Sequence, residues 1–200
     1  MKRFLLFTLL LLAAACRPAA EPLAPLAADG VVLAFGDSLT FGTGAATGEG
    51  YPERLAGLIG RTVINAGVPG EVSAEGAARL PELLDRHRPA LLVLCHGGND
   101  LLRRLGEEQL RDNLRTMVGL ARGRGIRVLL VGVPALGLTL TVPPLYPEVA
   151  REFKIPYEGK TLKKIEGDRA LKADPIHPNA AGYRRLAEAA AAQLRTSGAL

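Results

Sequence analysis

The feature that most constrains the fold is the alternation of short, wholly apolar runs with longer segments of helical periodicity. The apolar runs predict strands at residues 31–36, 62–66, 90–95 and 126–133, with a brief fifth at 154–157. Such runs are typical of strands that are buried on both faces. Apolar residues at three- and four-residue spacing predict helices at residues 51–59, 73–86, 107–123, 146–153 and 179–196. This order predicts one three-layer α/β domain, with a parallel sheet covered by helices on both faces.

The N-terminal residues have the pattern of a removable leader. Lys2 and Arg3 precede an apolar run, residues 4–15, that is too short for the ~30 Å hydrocarbon core of a bilayer. We therefore predict that residues 1–15 are a signal peptide and that the protein works outside the cytoplasm. The residues before Cys16 are similar to a bacterial lipoprotein processing site, which predicts acylation of Cys16 and a membrane anchor.

The alternative is ordinary cleavage near Ala15 or Ala20, which would release the protein. Residues 16–28 are rich in Pro and Ala and predict a short tether. No internal repeat divides the rest of the chain, so we predict that residues 29–200 form a single domain.

The composition excludes several other classes of protein. Hydrophobic residues make up 48% of the 200 residues and charged residues 22%, which is ordinary for a globular chain. Two cysteines are too few for a disulfide framework or a cysteine-based zinc site. Removing Lys2 and Arg3 from the 25 basic residues leaves 23 against 20 acidic ones. Because these charges are dispersed and no Trp could stack on bases, we expect no nucleic-acid partner.

Four polar or glycine-rich segments are expected at one edge of the sheet. In a parallel sheet, ligands bind in crevices at the carboxyl ends of the strands. Residues 36–40, 65–70 and 96–100 each follow a predicted strand, and residues 174–179 precede the last helix. Their convergence predicts a functional site at this edge.

These segments hold the three groups that a serine hydrolase needs. A serine hydroxyl is a weak nucleophile until a base accepts its proton, and a third group must orient the base. Ser38 follows the first strand, and His177 lies between two prolines with Asp174 three residues earlier. We therefore predict Ser38 as the nucleophile, His177 as the base and Asp174 as the acid.

Other histidines and aspartates compete for the roles of base and acid. His87 lies in an Arg-rich helix end away from the predicted edge, and His96 is expected to pack or hydrogen-bond locally. Asp37 and Asp100 are rival acids, but neither has His177 as a sequence neighbour.

An oxyanion would also need hydrogen-bond donors. The candidates are the backbone N–H groups of Ser38 and Gly67 and the side-chain amide of Asn99. Gly67 permits close backbone approach because it has no Cβ. Taken singly, a serine after a strand is more often a turn or a helix cap, so the prediction depends on the four segments together.

The four segments resemble the sequence blocks of the SGNH (GDSL-type) hydrolase superfamily, and within it the bacterial arylesterase and thioesterase/lysophospholipase branch. The matching blocks are GDSLT (residues 36–40), NAGVPG (65–70), GGND (97–100) and DPIHPN (174–179), in the superfamily's order. The resemblance implies a flavodoxin-like sheet of about five parallel strands. It also implies metal-free hydrolysis of acyl esters or thioesters through an acyl-enzyme.

The resemblance assigns roles to the same residues. Ser38 matches the superfamily's nucleophile, His177 and Asp174 its base and acid, and Gly67 and Asn99 its oxyanion donors. The chain departs from the pattern in one place, because His96 stands where many members have a small or apolar residue.

The expected function is that of an extracytoplasmic serine esterase without metal or other cofactor. Alternatives within hydrolases are a carbohydrate O-acetyl esterase acting on envelope polysaccharide, a lysophospholipase or a thioesterase. An alternative from another class is a non-catalytic envelope lipoprotein that binds glycans or lipids. Leu136, Leu138 and Leu140 lie in an apolar loop, so they either line a pocket for a short- to medium-chain acyl group or merely pack on the sheet.

Overall fold

Five parallel strands form one sheet at the centre of the molecule. The computed structural model describes residues 20–137 and 139–200. The strands are β1 (Val32–Gly36), β2 (Val63–Gly67), β3 (Leu91–Cys95), β4 (Arg127–Val131) and β5 (Tyr157–Glu158). Their order across the sheet is β2-β1-β3-β4-β5, and every neighbouring pair is parallel. The predicted α/β architecture with about five parallel strands is therefore confirmed.

Helices cover both faces of this sheet. They are α1 (Ser38–Phe41), α2 (Tyr51–Ile59), α3 (Ser73–His87), α4 (Gly98–Arg103), α5 (Glu107–Gly123), α6 (Leu145–Glu152), α7 (Thr161–Glu166) and α8 (Ala180–Thr196). Helix α2 packs against α8, while α5 packs against α3 and α6. β1 and β3 are buried along their whole length, as their unbroken apolar runs require.

The observed elements differ from the predicted ones where they are short. Helices α1, α4 and α7 have only four to six residues, too few to show a helical period in sequence. Strand β5 has two residues and begins later than predicted. The preceding Lys154 adopts a left-handed conformation at the end of α6, and Ile155 N–H donates to the Ala150 carbonyl, so these residues continue the helix end.

Residues 20–28 are packed on the domain rather than forming part of a free tether. The N–H groups of Leu23 and Leu26 donate to the carbonyls of Ser197 and Ala199, at 2.6 and 2.8 Å. Both leucine side chains are buried. The predicted tether over residues 16–28 is wrong for this part, because two leucines in a Pro- and Ala-rich stretch gain more from burial than from solvation.

The predicted signal peptide at residues 1–15 and the predicted acylation site at Cys16 lie outside the described residues. Within residues 20–137 and 139–200, no helix is both long enough and apolar enough to cross a bilayer.

Candidate active site

A tight turn after β1 presents Ser38 at the carboxyl edge of the sheet. Strand β1 ends at Gly36, and Ser38 is the first residue of α1. Between them, Asp37 caps the helix: its Oδ1 accepts from Leu39 N–H at 3.0 Å, and its Oδ2 accepts from Gly98 N–H at 3.1 Å. Burial raises the pKa of Asp37, with partial compensation from His96 and these N–H groups. This rival acid therefore joins two loops and does not contact His177.

The side chains of Ser38, His177 and Asp174 form a continuous hydrogen-bonded chain. His177 Nε2 lies 3.1 Å from Ser38 Oγ, and His177 Nδ1 lies 2.7 Å from Asp174 Oδ2. Asp174 Oδ1 also accepts from the backbone N–H groups of Ile176 and His177, each at 2.8 Å. Partial burial raises the pKa of Asp174, but these hydrogen bonds outweigh it and the net pKa lies below the usual value. The structure thus brings together the three predicted residues, with Asp174 as a carboxylate.

The loop that carries His177 is fixed to the loop that carries Ser38. Asn179 caps α8 through its Oδ1, which accepts from Ala181 and Gly182 N–H, while its Nδ2 donates to the Ala170 carbonyl. On α8, the buried Tyr183 donates its hydroxyl to the carbonyl of Thr43, two residues beyond α1, at 2.7 Å. These contacts hold the imidazole beside Ser38.

The remaining rival residues are occupied elsewhere. His87 is the last residue of α3, and His96 is fully buried behind the site. Asp100 accepts from the hydroxyl and the N–H of Ser73, at 2.6 and 2.8 Å, and so attaches α4 to the start of α3. Among the described residues, no group of three His, Cys, Asp or Glu side chains is placed to hold a metal ion.

The structure does not bring the predicted donor Gly67 to the site. Its N–H donates to the side-chain oxygen of Asn65 at 3.0 Å, and its α-carbon lies against the backbone of α1. The cavity beside Ser38 is lined instead by Gly70 and Asn99, together with His177. Among the described residues, the Gly70 N–H has no hydrogen-bond partner. The predicted donor Gly67 is therefore not at the cavity, and Gly70, three residues further along the same block, lies there instead.

Gly70 could have been found from its local sequence. Residues 68–71 form a turn closed by a 3.2 Å hydrogen bond from Glu71 N–H to the Val68 carbonyl. Pro69 followed by Gly70 at φ +81° is the signature of a type II turn, in which the central amide points outward. The second predicted donor, Asn99, is in place at the start of α4, and its Nδ2 donates one hydrogen to the Glu71 carbonyl at 2.9 Å.

We expect Gly67→Ala to destabilise the fold rather than to remove an oxyanion donor. A Cβ at this position would lie 2.0 Å from Phe41 N. Overpacking of this kind costs about 1–3 kcal/mol or more, measured as the free energy of unfolding in urea. Gly57→Ala in α2 is the matched control, because nothing lies within 4 Å of its Cβ and alanine gains up to about 1 kcal/mol in a helix. A Gly67→Ala variant as stable as the wild type would contradict this packing.

A small apolar cavity opens beside the nucleophile. The cavity at Ser38 has a volume of about 250 Å³. It shares Leu39, Gly98 and Leu102 with a smaller one of about 30 Å³. The other residues that line the smaller cavity are Val133, Pro134, Leu136, Leu162 and Glu166.

Of the two predicted substrate-binding leucines that the structure describes, one lines the smaller cavity. Leu136 does so, whereas Leu140 is not among the lining residues and lies near Gly167. Leu138 lies outside the described residues. Most of the lining was missed because it comes from separate segments of the chain that only the folded structure brings together.

The parallel α/β sheet and the serine–histidine–aspartate chain at its carboxyl edge define a serine hydrolase. Residues 34–185 match the sequence profile of the GDSL-like Lipase/Acylhydrolase family. The chain belongs to this family and is a GDSL-type ester hydrolase, as the resemblance predicted.

Individual relatives agree with the family assignment. The chain is 38% identical over 176 residues to Esterase TesA of Pseudomonas aeruginosa, which covers 81% of this chain and 86% of the relative. It is 29% identical over 177 residues to Thioesterase 1/protease 1/lysophospholipase L1 of Escherichia coli, covering 84% and 85%. The crystal structure of TesA superimposes with a TM-score of 0.74 at 33% identity, over 84% of this chain and 99% of that one.

Proposed function

We propose that Ser38 is the nucleophile of this esterase, His177 its general base and acid, and Asp174 the group that orients His177. The observation that carries the proposal is the unbroken chain from Ser38 Oγ to His177 Nε2 at 3.1 Å and from His177 Nδ1 to Asp174 at 2.7 Å. Both distances are within hydrogen-bond reach, as proton transfer from a serine requires. Because Asp174 accepts at Nδ1, the Nε2 atom is free to accept the serine proton.

The reaction proceeds in two halves. Ser38 Oγ bonds to the acyl carbon as its proton passes to His177, which then protonates the alcohol as the ester C–O bond breaks. Water next gives a proton to His177 and attacks the acyl-enzyme, and Ser38 leaves with that proton as the carboxylic acid is released. In both halves the oxyanion accepts from the N–H groups of Ser38 and Gly70 and from the second amide hydrogen of Asn99.

Covalent labelling tests this assignment directly. A fluorophosphonate reacts only with a serine that is activated as a nucleophile, so we expect a single adduct on the peptide that contains Ser38, identified by mass spectrometry. Heat-denatured protein is the control and should carry no adduct. Absence of an adduct on folded protein would favour a non-catalytic binding role for the same fold.

We propose that the acyl group of the substrate is short. Leu39, Leu102 and Leu136 line a cavity of only about 30 Å³ that adjoins the cavity at Ser38, and the Glu166 side chain at its wall is 4% exposed. Lys172 Nζ is 3.0 Å from Glu166 Oε2, which places an ion pair where a longer chain would extend. Each methylene that finds an apolar site gains about 0.8 kcal/mol, and a chain longer than the cavity forfeits that gain.

A series of p-nitrophenyl esters from acetate to palmitate tests the chain length. We expect kcat/KM to peak at or below about six carbons and to fall at least about tenfold by twelve. Leu162→Ala shortens a side chain that lines the cavity, so the cavity becomes larger and the peak should move to longer chains. Leu114 is buried in α5 away from the cavity, and Leu114→Ala should not move the peak. A peak at palmitate in the wild type would contradict the proposal.

We also propose that the protein is exported and held at a membrane through acylated Cys16. The basic and apolar leader supports export, and the residues before Cys16 support lipid attachment. Labelled palmitate should appear on the wild type and be absent from the matched Cys16→Ala variant. Absence of label from both would leave the protein exported but unanchored, and equal label on both would place the lipid at a residue other than Cys16.

Such an anchor would direct the active site away from its membrane. Leu23 is attached to Ser197, which follows the end of α8 remote from His177, and α8 is about 25 Å long. The N–H of Glu21 donates to the Lys154 carbonyl, and the five residues 16–20 that separate Glu21 from the proposed lipid can span at most about 18 Å. This geometry favours soluble or wall-bound esters, including O-acetylated glycans, over lipids of the anchoring bilayer.

A further inference from the structure

A buried polar cluster lies directly behind the proposed oxyanion donors. We call it the Glu71 clamp, and it consists of Glu71, Arg79 and His96. The Glu71 side chain is 5% exposed. Arg79 donates two hydrogen bonds to it, from Nε to Oε1 at 2.6 Å and from Nη2 to Oε2 at 2.7 Å. His96, which is fully buried, adds a third contact from its Nε2 to Oε2 at 3.0 Å.

The tautomer of His96 follows from the hydrogen bond at its second ring nitrogen, Nδ1. Its Nδ1 accepts from Gly97 N–H at 2.9 Å, so the ring proton is assigned to Nε2, which donates to Glu71. The ring fits against α3 only because residue 76 is glycine: a Cβ there would lie 2.4 Å from His96 Nε2. The structure therefore gives the His96 ring one orientation, in which Nδ1 accepts from Gly97 and Nε2 donates to Glu71.

Arg79 ties the clamp to the ends of two strands. Its Nη2 donates to the Ala66 carbonyl at 2.9 Å and lies 3.4 Å from the Gly36 carbonyl, and its guanidinium lies 4.2 Å over the ring of Phe35. Burial raises the pKa of Glu71, but the hydrogen bonds from Arg79 and His96 outweigh burial, and the net pKa is below its usual value. Glu71 is thus a fixed carboxylate attached to the sheet.

Glu71 is also connected to both oxyanion donors that do not belong to Ser38. Its own N–H closes the turn that presents the Gly70 N–H, and its carbonyl accepts from Asn99 Nδ2 at 2.9 Å. A carboxylate that rotated or moved would therefore shift the Gly70 N–H and the Asn99 amide together. Preorganised donors are effective only where they lie 2.7–3.1 Å from the developing oxyanion, so small shifts are costly.

We propose that His96 and Arg79 are positioning residues, which hold the oxyanion donors Gly70 and Asn99 in place through the Glu71 carboxylate. This inference rests on the proposed function, because it requires an oxyanion at Ser38. It assigns a role to His96, which stands where the sequence departs from the superfamily's pattern.

Two substitutions of His96 distinguish a positioning role of the Glu71 clamp from a role in packing alone. His96→Gln keeps a side-chain N–H that reaches Glu71, whereas the shorter His96→Asn keeps only the acceptor near Gly97 N–H. We expect kcat for p-nitrophenyl butyrate to fall at least about tenfold in His96→Asn, with KM changed less than about threefold, and kcat to stay within about threefold in His96→Gln. Asn99→Ala removes a donor completely, so kcat should fall about 10²–10³-fold, and this loss is the upper limit expected for the His96 variants.

Arg79→Lys gives a second measurement that does not involve His96. Lysine keeps the charge but cannot form the bidentate hydrogen bond to Glu71, so kcat should again fall while KM stays nearly unchanged. Leu114→Ala is the stability control: it removes buried contacts in α5 without touching the clamp and should leave kcat unchanged at a temperature where all variants are folded.

The outcomes distinguish this inference from the proposed function. If Ser38→Ala is inactive but His96→Asn and Arg79→Lys keep wild-type kcat, the clamp plays no positioning part. The inference also fails if His96→Gln loses as much kcat as His96→Asn, or if Leu114→Ala does. If Ser38→Ala itself retains activity, the proposed function fails first.

Discussion

Ser38→Ala is expected to lower kcat for p-nitrophenyl butyrate at least about 10⁴-fold while leaving the fold intact. The side chain of Ser38 forms one hydrogen bond among the described residues, to His177, so its loss removes the nucleophile and little else. The thermal midpoint, followed by circular dichroism, should stay within a few degrees of the wild type.

Ser197→Ala is the matched control for this variant. Ser197 Oγ donates to the Leu194 carbonyl at the far end of α8, so the same atom is removed away from the site. We expect full activity in Ser197→Ala. Retention of wild-type kcat in Ser38→Ala would show that another group performs the hydrolysis and would end the proposed mechanism.

Asp174→Asn is expected to cost about 10³–10⁴ in kcat at neutral pH, a loss that arises from the wrong tautomer of His177. Asparagine would still accept from the N–H groups of Ile176 and His177, so the loop should keep its shape. Its amide would donate to His177 Nδ1, however, which leaves the proton on Nε2 and prevents that atom from accepting the proton of Ser38.

Asp112→Asn provides the comparison for this charge change. Asp112 is exposed on α5, where its nearest partner is Arg115 at 3.5 Å, and its substitution should leave kcat unaltered. A loss of less than about tenfold in Asp174→Asn would mean that Asp174 does not set the tautomer of His177.

The parts of this molecule that could be predicted are those with a local cause. The apolar runs of β1 and β3 are visible in sequence because a strand buried on both faces has no polar alternation. Asp174 and His177 are three residues apart, so their contact depends on one short loop. The approach of Ser38 to His177, across 139 positions, could be inferred only from the shared sheet edge of parallel strands.

The predictions that were wrong concern features without a local cause. Each of these features depends on a contact between distant or competing groups. Gly67 and Gly70 lie in the same block, and the side chain of Asn65 decides between them by accepting the Gly67 N–H. The proposed acyl cavity combines side chains from several segments, and among its described lining residues Leu136 is the one that was predicted to bind substrate. The burial of Leu23 and Leu26 depends on the end of α8, which lies some 170 residues further along the chain.

The sequence by itself determined the α/β architecture, because periodicity follows from the geometry of strands and helices. Its four ordered blocks determined the family and predicted the serine, histidine and aspartate of the site. Only the tertiary structure decided which glycine of the NAGVPG block lines the cavity at Ser38, how large that cavity is and that His96 contacts Glu71. These features depend on which hydrogen-bonding groups remain unpaired after packing, and packing brings together residues that are far apart in the chain.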